Sequence, residues 1–324
     1  MGNIKNILFF INCIATIVFF MACSSPEENE IIESTPPAEK VYVTGAETII
    51  PYHTLKMYLD ENFSQMYFLD TKFNESHGGS YVLDYFDEGG QGMDSYPSIT
   101  IGSVTFGNNY WVSDKAVVGM PVQLKDISNT LTFDFKTSQL EANDIDDKWM
   151  ASINFIFDNY GTETSEPVAS ERDYDLVIMH AHHNFNDSVQ DKPLDENTKT
   201  THWYFARNSD KSLKPYHLTI DGKTYTYAVR YKFFINSGDK NNKTHLKFIP
   251  YGNTELPEIL KINVKEVIQT TKDYLPYVNL TPELRTLAET NIALPNAWLK
   301  SINAGYEVYT GNATLNIEQF RVNL

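Results

Sequence analysis

Between residues 66 and 250 short apolar runs rich in aromatic and β-branched side chains recur between polar turn signals. A period of two is what a strand with one buried face requires, since successive side chains point to opposite faces of a sheet. Such runs lie at 66–73, 80–86, 98–106, 130–135, 151–157, 174–180, 202–205, 217–220, 224–234 and 244–250, separated by turn-forming residues. Short strands recurring between turn signals predict an antiparallel sandwich. Asp221 and Gly222 stand between two of the runs, and an Asp-Gly pair there is a strong two-residue hairpin signal. The period changes near residue 264, where Val264, Val267, Ile268 and Leu275 fall on one helical face and predict a helix over 264–275. Pro282, followed by Glu283 and Leu284, opens a second short helical turn. The pattern as a whole predicts an all-β antiparallel β-sandwich of jelly-roll type with one packed helix.

The N-terminus has a different grammar. Residues 1–22 combine an early lysine with an apolar run, which is the pattern of a secretory signal peptide; an uncleaved N-terminal anchor is the competing reading. Phe20-Met21-Ala22-Cys23 is similar to a bacterial lipobox, with Phe20 where leucine is usual, and marks Cys23 for lipidation. Residues 23–40 are rich in Glu and Pro and poor in core formers, the composition of a solvated tether. Acidic residues directly after the cysteine resemble the surface-export signal of lipoproteins from the Bacteroidetes group. No further low-complexity break, repeat or composition shift divides 41–324, which is read as one domain. These features predict a secreted monomer at the bacterial outer membrane or cell surface, held to the membrane only through its lipid anchor.

Composition narrows the partners. The 324 residues carry 26 Lys and Arg against 42 Asp and Glu, a net charge of −16, so the cationic footprint needed to bind phosphate backbones is missing and no nucleic acid is expected. The same field repels an anionic polysaccharide unless local basic groups offset it. Of the two cysteines, Cys13 lies in the apolar run, which leaves a processed chain with no disulfide framework, zinc cluster or cysteine nucleophile. No metal or cofactor is expected.

The candidate chemistry sits near the C-terminus. In Gly305-Tyr306-Glu307-Val308-Tyr309 strand alternation puts Glu307 and Tyr309 on one face and Tyr306 and Val308 on the other. A carboxyl group beside aromatic rings on a concave sheet is suited to sugar chemistry, because burial holds a proton on it for a leaving oxygen. The same residue could equally be an exposed Glu on a half-wet sheet. The run Ala304-Gly-Tyr-Glu-Val-Tyr309, with Gly311, Leu315 and Phe320 beyond it, resembles the terminal motif of glycoside hydrolase family 12, a concanavalin A-like jelly roll of endoglucanases and xyloglucanases. Tyr96-Pro-Ser-Ile-Thr-Ile-Gly102 and Pro121-Val-Gln-Leu-Lys-Asp-Ile127 are similar to two further segments of that family, in the same order. The resemblance implies that Glu307 is the general acid/base. It puts Asp175, in Asp173-Tyr-Asp-Leu-Val-Ile-Met179, at the position of a glutamate nucleophile, and Asn154 where an aspartate orients that nucleophile. Met179 stands near the place of a family indole. These are departures from the family pattern.

Tyr110, Trp111 and Trp203 are candidates for sugar stacking or for the core. His180 and His182, two apart in one run, would share a face and could bind a divalent metal or supply a base, against the plainer reading of a hydrogen-bonded or solvated pair. Three readings follow. The first is a lipid-anchored hydrolase cleaving a β-linked polysaccharide of the β-glucan or xyloglucan class with Glu307 and Asp175. The second is a non-catalytic surface glycan-binding lipoprotein on the same fold, favoured by the two departures. The third is a polysaccharide lyase of a related jelly roll, using His180 or His182 with a tyrosine. Carboxyl separation discriminates the mechanisms: ~5 to 5.5 Å for retention and ~6.5 to 9.5 Å for inversion.

Overall fold

Each alternating run of the sequence falls on a strand in the computed structural model, which describes residues 54–56, 65–74, 78–87, 96–106, 109–112, 120–142, 146–159, 161, 174–185, 189–192, 202–234, 243–252 and 255–323. The expected signal segment, Cys23 and the tether lie outside the described residues. In chain order the strands are β1 (Thr54–Lys56), β2 (Gln65–Asn74), β3 (Gly78–Asp87), β4 (Ser98–Phe106), β5 (Asn109–Val112), β6 (Val122–Gln123), β7 (Thr132–Ala142) and β8 (Lys148–Asp158). They continue as β9 (Tyr174–His183), β10 (His202–Phe205), β11 (Pro215–Ile220), β12 (Lys223–Phe234), β13 (Lys243–Pro250) and β14 (Leu260–Asn263). Helices α1 (Val264–Tyr274) and α2 (Pro282–Asn291) follow, and β15 (Trp298–Asn323) closes the chain.

The strands form a curled sandwich, as a jelly roll requires. The larger sheet runs β1-β4-β15-β8-β9-β13-β12-β10, with β11 also paired to β12. The smaller one is built from β2, β3, β7 and β14 around the second half of β15. The 26 residues of β15 therefore serve both sheets. It passes from one to the other near Gly311, whose φ of 109° suits a residue without Cβ. A Cβ there would run into the Asp147 carboxylate, which accepts from the Asn312 amide at 2.6 Å and from Gln139 Nε2 at 3.3 Å. The Asp221-Gly222 pair makes the expected turn between β11 and β12, with φ of 50° and 82°.

Tyrosine and phenylalanine dominate the seam between the sheets. Phe133 of β7 meets Phe155 of β8 edge-on at 5.5 Å, and Phe133 stacks on Phe320 at 6.0 Å. The buried Tyr306 hydroxyl donates to the Asn316 and Ser138 carbonyls at 2.7 and 3.2 Å, so its polar end is satisfied inside the core. Helix α1 is capped by Asn263, whose side chain accepts from the Glu266 amide at 3.0 Å, and buries Val264, Val267 and Ile268 as its periodicity predicts. The turn expected at Pro282 is a second full helix of ten residues. Thr281 caps it, Pro282 begins it, and Leu284 with Ala288 forms the i, i+4 stripe that anchors it. Arg285 binds the Leu275 and Val278 carbonyls, both at 2.6 Å, and joins the helices' connecting turn. Among the described residues no helix is long and apolar enough to cross a membrane.

Candidate functional site

The face of the larger sheet that turns away from the core carries the candidate chemistry. Directly opposed residues on neighbouring strands share a face, so the pairing registers can be read as rows across it. One row runs Trp203, Lys232, His245, Asp175, Ile156 and Ser301. The next runs Phe205, Arg230, Lys247, Val177, Asn154, Asn303 and Thr100. Glu307 lies further along, opposite Met150, which in turn opposes His182.

Glu307 and Asp175 therefore lie on the same face but in different rows. Asp175 opposes Ile156 and Glu307 opposes Met150, six positions apart on β8 (156 − 150). At ~3.3 Å per residue that is about 20 Å along the strand, with two strand spacings of ~4.8 Å added across it. Asn154 opposes Val177, one pair along from the Ile156–Asp175 pair, and its Oδ1 accepts from Ser152 Oγ at 3.1 Å. Each carboxylate has a local partner. Tyr309 donates its hydroxyl to Glu307 Oε2 at 2.6 Å. His245 Nδ1 donates to Asp175 Oδ1 at 2.8 Å, since an ionised carboxylate can only accept. The latter pair is partly exposed, at 19% for His245 and 27% for Asp175.

The middle of the face is apolar. Met150, Val177, Met179, Phe205, Ala228 and Ile249 form a buried cluster, and Phe185, Val189, Trp203 and Leu213 pack against it. Met179 thus belongs to this layer. Arg207 grips Asp191 through three contacts of 3.2 to 3.3 Å, and Asp191 Oδ1 also accepts from the Phe205 amide at 3.0 Å. This clamp secures the segment that supplies Val189 beside β10. Trp203 Nε1 donates to the Gln190 carbonyl at 2.9 Å. Its ring centroid lies 5.0 Å from Lys192 Nζ and 5.5 Å from the Arg230 guanidinium. Phe185 has Lys247 Nζ at 4.6 Å and Lys148 Nζ at 5.8 Å, while Tyr309 has Lys148 Nζ at 5.1 Å. Cations are interleaved with aromatic rings across this region.

Arg230 and Lys247 are buried and adjacent in register, and Lys232 lies two residues from Arg230 on the same strand face. Burial, followed by the Arg230 charge, pushes the Lys232 ammonium down to about 8 from 10.5, with Lys247 acting in the same sense. Asp175 and Glu307 oppose that shift, so both carboxylates act electrostatically on one lysine.

His180 and His182 do not share a face. Ala151 opposes Ala181 and Ser152 opposes Met179, leaving His180 as the extra residue of a bulge. The bulge turns His180 toward the smaller sheet, where Nε2 donates to the Pro257 carbonyl at 2.7 Å and Nδ1 accepts from Thr137 Oγ1 at 2.9 Å. Burial lowers its pKa to about 4, which keeps the ring neutral in this role. His182 remains on the exposed face. Tyr110 and Trp111 belong to β5, opposite Thr105 and Val104, and their side chains lie outside the described residues.

Arg230, Lys232, His245 and Lys247 were not among the candidate residues expected from the sequence. Their signal was the i, i+2 spacing of basic residues at the polar positions of β12 and β13. Spacing alone could not show that the two pairs lie side by side.

No protein-family model matches the chain, and no curated protein does. Solved structures do match it. A family 12 xyloglucanase from Bacillus licheniformis in complex with ligand superposes with a TM-score of 0.50 at 15% identity, covering 82% of this chain and 88% of that one. The fold is a family-12-like jelly roll. The catalytic domain of Humicola grisea Cel12A with a soaked thio cellotetraose gives a TM-score of 0.49 at 13% identity over 84% and 93% of the two chains. Endoglucanase 3 of Trichoderma harzianum, from family GH12, gives 0.47 at 14% over 78% and 81%. At these identities the likeness is one of fold, and the site must be argued from its own residues.

Proposed function

We propose that the protein is a surface lipoprotein that binds a polysaccharide along the far face of its larger sheet without cleaving it by a carboxylate pair. The observation that carries this reading is the register: Glu307 and Asp175 occupy rows six residues apart on β8. Six residues of extended strand are longer than the ~5 to 9.5 Å between carboxyl groups that either glycosidic mechanism needs. The β9 position in line with Glu307 holds His182, not a carboxylate. Each carboxylate is instead committed locally, Glu307 to Tyr309 and Asp175 to His245.

Hydrolysis by Glu307 with Asp175 is the second reading. It is favoured by their shared face and by Lys232, on which both charges act. Wild-type full chain incubated with β-glucan, xyloglucan and polygalacturonate separates the readings. Retention in affinity electrophoresis with no new reducing ends is the result expected of a binder. Reducing ends that appear with wild type and vanish in Glu307→Gln would establish hydrolysis, because the amide cannot transfer the proton. Unsaturated ends would indicate a lyase. Anchoring is proposed at Cys23, and Cys23→Ser should move the protein from the membrane to the soluble fraction. Retention of that variant in the membrane would support an uncleaved N-terminal helix instead.

A further inference from the structure

We infer that the chain lays a strap of its own over the middle of the far face, formed by Phe185 and residues 189–192. Arg207 positions this strap, and a glycan displaces it to reach both ends of the face. The inference rests on the glycan-binding reading above and adds how that face is opened. On β9, Val177 and Met179 lie between Asp175 and His182, and His182 is in line with Glu307. The ground between the two polar ends is thus the apolar layer of Met150, Val177, Met179, Phe205, Ala228 and Ile249, whose members are 0 to 4% exposed. Side chains that point away from the core of the sandwich are buried to that degree only when something lies on them. Phe185, Val189 and Leu213 pack there.

The strap is fixed at both sides of the sheet. The Phe185 ring lies 5.1 Å from that of Tyr309, whose hydroxyl donates to Glu307. Lys192 exchanges both backbone hydrogen bonds with Trp203 of β10, at 2.9 and 3.1 Å, in an isolated bridge. Residues 189–191 are held by side chains and by one β10 amide. The Arg207 guanidinium donates to the Val189 carbonyl at 3.0 Å and to the Asp191 carboxylate at 3.2 to 3.3 Å. The Trp203 indole donates to the Gln190 carbonyl at 2.9 Å, and the Phe205 amide to Asp191 at 3.0 Å. Arg207 also steadies the second cover, since its guanidinium binds the Lys211 carbonyl at 3.1 Å and its backbone bridges to Leu213. One residue therefore sets both pieces that lie on the apolar layer.

The strands below are held by continuous ladders, whereas the strap depends on one bridge and on an ion pair that is 26% exposed at Arg207 and 31% at Asp191. Attachments of that kind open locally at a lower free energy than a ladder. Opening uncovers an apolar floor with a carboxylate toward either end. An apolar floor with a few placed polar groups suits a sugar ring, which is apolar on its faces and polar around its rim. While the strap is closed, affinity falls by the fraction of molecules that are open.

The test compares full-length wild type, Arg207→Ala and Arg207→Lys in affinity electrophoresis with β-glucan, xyloglucan and polygalacturonate. Arg207→Ala should bind the preferred polymer about fivefold more tightly than wild type, the factor given by loss of one solvent-screened ionic contact that favours the closed strap. Arg207→Lys keeps the charge and should stay closer to wild type. Equal or weaker binding by Arg207→Ala would overturn the strap and leave the glycan-binding reading standing, because a role in the fold alone predicts no gain. Hydrogen exchange in wild type needs no variant. The Lys192 and Trp203 amides, bonded across the bridge, should exchange faster with saturating polymer than without it. Unchanged or slower exchange would overturn the strap. Binding that appears only in Arg207→Ala would support both readings, and binding by none of the proteins to any polymer would overturn both.

Discussion

The far face of the larger sheet has two halves that solve the burial of polar groups in opposite ways. Over β4, β15 and β8 the far face carries, beside Ile156, Met150 and Glu307, a group of small neutral side chains: Ser98, Thr100, Ser301, Asn303 and Ser152, each with 0% exposure. Thr100 Oγ1 donates to Asn303 Oδ1 at 2.7 Å, Asn303 Nδ2 donates to Ser301 Oγ at 3.3 Å, and Tyr96 donates to the Asn303 carbonyl at 3.3 Å. Over β9, β13 and β12 the equivalent rows carry Asp175, His245, Lys247, Arg230 and Lys232. Neutral hydroxyls and amides can satisfy one another and be buried completely. In the other half, burial and the neighbouring Arg230 charge disfavour the protonated form of Lys232. The neutral half is therefore closed by its own hydrogen bonds, and the other half gathers charged side chains.

Asn303→Leu should break the neutral half and produce the largest effect. It removes the acceptor of Thr100 and the donor to Ser301 in a fully buried place. A loss of about 3 kcal/mol is expected, read as a lowered midpoint in denaturant unfolding. A change within about 0.5 kcal/mol, the range of ordinary surface substitutions, would show that the ladder contributes nothing.

Lys232→Met tests the other half with the opposite sign. The folded pKa of about 8 lies below the ordinary 10.5. Below pH ~8 both states carry the proton and the whole penalty is present. Between pH ~8 and ~10.5 the unfolded chain holds the proton that the folded chain has released, so wild-type stability rises with pH. The variant should be more stable than wild type at pH 7 by about 2 kcal/mol and should lose that rise. A destabilised variant at pH 7 would mean that Lys232 is structurally paid for by its contacts and not strained by its neighbours.

The smallest effect is expected at Asp175→Asn. The pair with His245 is partly exposed, so its loss should lower stability by about 1 kcal/mol or less, measured by thermal unfolding at pH 6 and pH 8.

Much of the architecture could be read along the chain because it depends on local period and local chemistry. Alternation marked the strands from Gln65–Asn74 to Lys243–Pro250, Asp221 and Gly222 marked a turn that needs positive φ, and the spacing of Val264, Val267 and Ile268 marked α1. The terminal motif around Glu307 pointed to the jelly roll that the structure displays. Alternation also placed Glu307 and Tyr309 on one face, where they meet at 2.6 Å.

Rows could not be read in this way. A period of two determines which face a side chain takes, but sliding a strand by two residues keeps every face and changes every neighbour. The separation of Glu307 from Asp175 is such a register, set by pairings between β15, β8 and β9. So is the meeting of Lys247 with Arg230 and of His245 with Asp175, the second of which depends on a parallel pairing between strands about seventy positions apart (245 − 175). The bulge at His180 is a further case, because one inserted residue reverses the face of a side chain without altering the composition around it. Local periodicity, set by the geometry of the chain, determined the strands and their faces; long-range hydrogen-bond register, set by packing of the whole sandwich, decided which charges became neighbours.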